Sequence, residues 1–306
     1  MIVDLKPLPI VYHPKYDIPV PKLHSFVGSK FSDLFNNLQI NYSSDLNVLT
    51  PSSANLENFR QSHHIDYIKK VEQDELTKDD LRLINLPWSD RLRESSFLEI
   101  EGTLLTAKEA LKTGLACHVG GGTHHAHYEY GYGFCVFNDL AYTAINLINQ
   151  KLAKKVLILD LDVHQGDGTI DICKKYSSIF TCSVHSESNF PYEKKQGSMD
   201  VSLRSEMKDE EYLQILNNTL EAIQKKIIPD IVLFDAGVDV FVDDKLGNLK
   251  VSSEGIKKRD HLVLSHFRKQ EIPIATVIGG GYSKDDKELA SRHSIIFETA
   301  LNLLKK

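Results

Sequence analysis

Four short stretches of this 306-residue chain carry groups that do chemistry: G-G-G-T-H-H-A-H at 120–127, D-L-D-V-H-Q-G-D at 160–167, G-V-D-V at 237–240 and G-G-G-Y at 279–282. The second begins where the apolar run Val156-Leu157-Ile158-Leu159 stops, so it reads as the tip of a buried parallel strand. Side chains alternate along a strand, which puts Asp160, Asp162 and His164 on one side. Apolar burial gives no reason to gather carboxylates and an imidazole there; a cation does. Asp162, His164 and Asp239 make a three-ligand set of the kind catalytic zinc uses, with a position left for water. Two carboxylates and a neutral imidazole formally cancel a divalent charge, and iron(II) suits the same donors. Asp160 is placed behind the metal, to orient an imidazole or lend oxygens to a monovalent cation.

His124 and His125 are adjacent on a loop, so they can aim at neighbouring points. One suits a general base toward water that later protonates a leaving amine; the other suits a cation beside the substrate carbonyl. Asp160 and Asp167 are the orienting carboxylates, one for each ring, and Tyr282 offers a hydroxyl to a developing oxyanion. Water activation, proton delivery and oxyanion stabilisation together suit amide hydrolysis. Singly, acidic strand ends, paired histidines and glycine turns are common features of no special meaning. Their joint placement at strand tips is what gives them weight. Phe134 and Phe190 are placed as walls of a narrow channel, His118 as a core histidine, and Asp171 and Asp243 as solvated.

The elements that must position these groups follow from periodicity. Short apolar runs predict strands at 9–12, 115–119, 156–160, 179–185, 231–236 and 272–278. Spacing of three and four predicts helices at 31–38, 62–72, 97–113 and 207–227, the third ended by Gly114 and the last by Pro229. Asn138 and Ser253 read as caps of two more helices, and a final helix reaches the C-terminus. Residues 77–94, charged and irregular around Pro87-Trp88, read as a surface loop that contributes to a pocket rim. Strands alternating with helices predict an α/β fold, a mostly parallel sheet with helices on both faces. In such sheets the carboxyl ends of the strands share one edge, where ligands bind. No repeat, low-complexity linker or change of composition divides the chain, so residues 1–306 read as one domain.

Composition is that of a globular protein. A formal charge of −6 with no long basic run argues against direct nucleic-acid binding. The cysteines, Cys117, Cys135, Cys173 and Cys182, form no C-x-x-C pair, which suits a reducing, intracellular compartment. The stretch from Met1 to Pro9 carries Asp4 and Lys6 and reads as neither signal peptide nor membrane span. The cytoplasm is therefore expected, with nuclear presence and specialised export left open, and the oligomeric state unspecified.

The motifs, with G-Y-G-F-C and A-G-V-D-V-F-V-D-D-K-L-G beside those above, resemble the zinc-dependent histone deacetylases over almost the whole chain and in the family's order. P-I-V-Y, K-L-H and L-G-N-L-K-V-S-S-E-G-I-K-K-R-D are similar to the class IV branch in particular. The resemblance implies the arginase/deacetylase fold, with zinc on Asp162, His164 and Asp239, and His124 and His125 as catalytic pair. It makes His125 the general base, Asp160 and Asp167 the supports of the two rings, and Tyr282 the group that polarises the acyl carbonyl. It implies Gly133 and Phe134 lining an acyl-lysine channel, and a structural potassium on the backbone of Asp160, Asp162, His164 and Val184 and the Ser183 hydroxyl. The substrates implied are acyl-lysine proteins or peptides, with long fatty acyl groups as well as acetyl. Gln165 stands where many relatives have a second histidine, and Lys245 replaces arginine. Competing readings are an amidohydrolase on acetylpolyamines or other small amides, a two-manganese ureohydrolase, and a non-catalytic acyl-lysine-binding module. Gly166, Gly237 and Phe241 stand where further bridging carboxylates would be needed for two metals.

Overall fold

The computed structural model describes residues 7–59 and 61–305, so Met1 to Lys6, part of the stretch read as lacking a signal, lie outside the described residues. The strands are β1 (Leu8–Val11), β2 (Leu46–Leu49), β3 (Leu115–His118), β4 (Val156–Asp160), β5 (Ile179–Ser186), β6 (Met199–Leu203), β7 (Ile231–Asp235) and β8 (Ile274–Val277). Among the described residues they form one eight-stranded sheet in the order β2-β1-β3-β8-β7-β4-β5-β6. Every ladder is parallel.

The α-helices of the described residues are α1 (Lys30–Tyr42), α2 (Ile65–Glu72), α3 (Lys78–Ile84), α4 (Asp90–Thr113), α5 (Asp139–Asn149), α6 (Asp167–Cys173), α7 (Asp209–Lys226), α8 (Ser253–Arg268) and α9 (Asp286–Leu304). The central strands are buried on both faces, and their alternate residues feed two cores. Leu157 and Leu159 point into the core beneath α1, α7, α8 and α9. Val156 and Ile158 point into the core beneath α2, α4 and α5. The architecture is thus the covered parallel sheet that the alternation of patterns predicts.

The differences are local. Residues 77–94 are not a loop: Thr77 and Asp80 form a reciprocal capping box that starts α3, and the Ser89 hydroxyl caps α4 at Leu92. A seven-residue helix is too short for periodicity to announce, so the cap was its only sequence signal. Ser252, not Ser253, caps α8 by accepting from the Gly255 N–H. The edge strands β2 and β6 were missed because both are half exposed and short, without a continuous apolar run. Gly114 ends α4 in the left-handed conformation, as expected.

Candidate active site

Strands β3, β8, β7 and β4 are consecutive neighbours in the sheet, and their carboxyl ends lead into the four motifs. Parallel pairing therefore brings together segments that lie far apart in sequence. The donor atoms of Asp162, His164 and Asp239, all buried, lie within 4.8 Å of one another. His164 Nδ1 is 2.9 Å from Asp162 Oδ1 and 3.1 Å from Asp239 Oδ2. The other carboxylate oxygens are held by backbone: Gly280 N–H donates to Asp162 Oδ2 at 2.7 Å, and Val163 N–H to Asp239 Oδ1 at 2.8 Å. Gly280 has to be glycine, since a Cβ there would sit 2.2 Å from Asp239 Oδ2 and 2.5 Å from Asp162 Oδ2.

The histidine loop is equally constrained. His124 Nδ1 meets Asp160 Oδ2 at 2.8 Å, and His125 Nδ1 meets Asp167 Oδ1 at 2.6 Å. The two free edges face each other, Nε2 to Nε2, at 3.1 Å. Burial by itself would discharge both rings. For His124 the charges of Asp160 and Asp162 outweigh burial and hold its pKa well above the ordinary value. For His125 burial and the neighbouring His124 charge prevail over Asp167, and the pKa falls to about 4. Charge and burial thus push the two rings in opposite directions, His124 toward the cation and His125 toward the neutral form.

Tyr282 is buried, and its backbone N–H donates to Asp244 Oδ2 at 2.7 Å. Burial, with the charges of Asp162 and Asp239, raises its phenol well above the usual range, so it remains a donor at neutral pH. Its ring lies 6.4 Å from that of His164 and 6.0 Å from that of Phe134. Phe190 stands edge-on to His125 at 4.9 Å, so Phe134, Phe190 and Tyr282 frame an opening over His125 and His164. Gly133 and Phe134 both have positive φ, 53° and 69°, and their N–H groups donate to Leu83 and Ile84 at the end of α3. A Cβ on Gly133 would come within 2.8 Å of His125. Helix α3, expected as a loop, therefore fixes the backbone of Gly133 and Phe134. Ser183 is the register partner of Asp160 on the next strand, and its hydroxyl meets His185 Nδ1 at 3.0 Å. Val184 is buried beside it.

Several supports were not apparent beforehand. Asp139 accepts from the N–H groups of Gly122 and Thr123 and so shapes the first glycine run. Asn138, expected only as a cap, also donates its amide to the carbonyls of His124 and Ala126, at 3.1 and 3.0 Å. His63 bridges the His127 carbonyl and the Asn138 N–H. Arg259 is fully buried, paired with Asp260, and donates to the carbonyls of Ala236 and Gly237 just before Asp239. Asp235 is buried near His124 and Asp160, its carboxyl pushed well above the ordinary range by burial and Asp160. It closes the run I-V-L-F as Asp160 closes V-L-I-L, the one signal that would have found it. Asp171 is not merely solvated: it meets His127 at 3.3 Å and Lys174 at 2.7 Å. His118 is a satisfied core histidine, bonded to Thr103 and Tyr16.

Comparison with known proteins agrees with the motifs. The Histone deacetylase domain family model matches residues 24–296. An uncharacterized protein of Picosynechococcus sp. is 41% identical over 95% of this chain and 98% of its own length. Histone deacetylase 2 of Arabidopsis thaliana is 27% identical over 96% of this chain and 81% of its own. A crystal structure of the HDA15 HD domain superposes with a TM-score of 0.82 at 17% identity, covering 97% of this chain and 89% of that one, a likeness of fold. With the strand-tip geometry and a family match spanning most of its length, the chain belongs to the histone deacetylase family.

Proposed function

We propose that the protein is a metal-dependent hydrolase that removes acetyl groups from lysine side chains of proteins or peptides. The observation that carries this is the meeting, beneath one aromatic-walled opening, of three metal-type donors, two carboxylate-backed histidines and a buried phenol. The donor set fits a divalent ion: its members are buried, and Asp239 Oδ2, 3.1 Å from His164 Nδ1, receives no hydrogen bond. Asp162, His164 and Asp239 would hold zinc, or iron(II), which when bound acidifies water and polarises an amide carbonyl. Within the chain, His125 donates Nδ1–H to Asp167, and its Nε2, 3.1 Å from that of His124, would accept the proton and pass it to the leaving lysine amine. His124, kept cationic, and the Tyr282 hydroxyl would stabilise negative charge growing on the acyl oxygen. Gly133, Phe134 and Phe190 would sheathe the lysine methylenes and exclude water. The Ser183 hydroxyl and the backbone of Asp160, Asp162, His164 and Val184 would hold a potassium ion behind the site.

Longer acyl chains are a second reading, favoured by a cavity that continues past His124 and His125 between Phe26, Leu86, Leu92, Ile100, Val136 and Phe137. Its volume is only about 50 Å³. An acetyl group fits that space as it stands, whereas a fatty chain needs the lining side chains to shift. The test is an acyl-chain-length series on one lysine peptide, with and without chelator. Acetyl-lysine should be cleaved only by metal-loaded protein; undiminished cleavage after complete metal removal would overturn the proposal.

A further inference from the structure

Beside the channel mouth lies an open groove lined by Lys22, Leu23, His24, Lys245, Ser283 and Lys284. We propose that this groove binds acidic residues flanking the acyl-lysine, so that the preferred substrates are acidic segments rather than basic tails. The inference rests on the lysine-deacylase reading above and specifies its substrate class.

Its location ties it to the opening. The His24 ring lies 5.5 Å from Phe134, which walls the channel. The Lys245 N–H donates to the Tyr282 carbonyl at 3.2 Å, and Ser283 and Lys284 follow Tyr282 directly. A peptide that inserts a side chain between Phe134 and Tyr282 has to lay its neighbouring residues, about 3.3–3.6 Å apart when extended, across this face.

Its charge is opposite to that of the molecule. The chain carries −6 formally, yet three lysines line this groove against one described carboxylate, Asp286. All three lysines are exposed, and their ammonium groups make no hydrogen bond or ion pair within the described protein. The nearby Asp244 is buried and occupied by the backbone of Tyr282, Leu246 and Gly247, so it does not offset them at the surface. Exposed Asp243 lies close to Lys245 in sequence, and exposed Asp285 and Asp286 follow Lys284 directly, so Lys22 is the least offset of the three. Leu23, fully exposed at the groove's lip, offers an apolar contact between the charges.

The test uses the metal-loaded full chain and one acetyl-lysine peptide made with flanking glutamates, serines or lysines, beside a capped acetyl-lysine without flanks. Three exposed charge contacts predict kcat/KM about tenfold higher for the glutamate than for the lysine peptide at low salt, shrinking as salt screens them. Lys22→Glu/Lys245→Glu/Lys284→Glu should reverse the ranking and leave capped acetyl-lysine cleavage unchanged; Lys22→Gln/Lys284→Gln, a milder change, should reduce the preference to about twofold. Equal rates for the three peptides, or a preference undiminished in the variants, would overturn the proposal. If capped acetyl-lysine itself is not cleaved, the deacylase reading fails, and anisotropy of the labelled glutamate peptide still reads the groove. Binding to anionic vesicles or RNA in place of that peptide would also overturn it.

Discussion

The bracket beneath the histidine loop makes a pH prediction that can be worked through. His63 is fully buried, with Nδ1 at 2.9 Å from the His127 carbonyl and Nε2 accepting the Asn138 N–H at 2.9 Å. That arrangement fits only the neutral ring, because a second ring proton would face the Asn138 donor. Burial accordingly lowers its pKa from 6.5 to about 3. A folded pKa below the unfolded one means stability that is present above pH 6.5 and lost as pH falls toward 3. From pH 7 to pH 5 the unfolded ring goes from about one-quarter to almost fully protonated, while the folded ring stays neutral; the loss integrates to about 2 kcal/mol. Glu99 and Asp239, raised to about 7 chiefly by burial, act in the opposite direction over this window, so the raw profile of the wild type is not diagnostic. A difference is. In urea melts, the penalty of His63→Gln should be about 2 kcal/mol smaller at pH 5 than at pH 7, whatever its absolute size. A penalty that is the same at both pH values, or larger in acid, would refute the neutral-ring assignment.

Three other outcomes are expected. Tyr282→Phe keeps the ring packing and removes the donor, so kcat should fall about 10²–10³-fold with bound metal, measured by elemental analysis, unchanged. Arg259→Lys keeps a charge but cannot reach Asp260 and two carbonyls at once; affinity for zinc, measured by chelator competition, should drop about 10-fold or more while the fold persists by circular dichroism. Adding zinc should stabilise the protein, by about 2.7 kcal/mol at a hundredfold excess over Kd, and Asp239→Asn should abolish most of that gain in a thermal melt.

What could be read from the sequence was whatever interrupts a strong pattern. Asp160 ends an uninterrupted apolar run, and Asp239 and Tyr282 each follow one within a few residues. A polar group there stands out, and parallel pairing supplies the convergence. The helix α3 did not stand out because seven residues make two turns, and its start is marked only by Thr77 and Asp80. The strands β2 and β6 sit at the sheet edges, where one side of each faces solvent and hydrophobic alternation is weak. Arg259 and His63 were hidden for another reason. Each lies in a helix or a turn whose local pattern is ordinary, and each acquires its role from contacts with carbonyls or N–H groups 22 to 75 positions away. Nothing in a linear pattern marks such a partner.

The sheet order has a kinetic side. The four tips are spatial neighbours, yet they come from a stretch of chain running from Gly120 to Tyr282. Contacts this distant along the polymer close late and slowly. No fragment lacking β8 can present the Gly280 N–H to Asp162, so the proposed metal site should be complete only once β8 has docked. Uptake of a coloured divalent ion such as cobalt during refolding would then trail the appearance of helix, and would time the completion of the molecule.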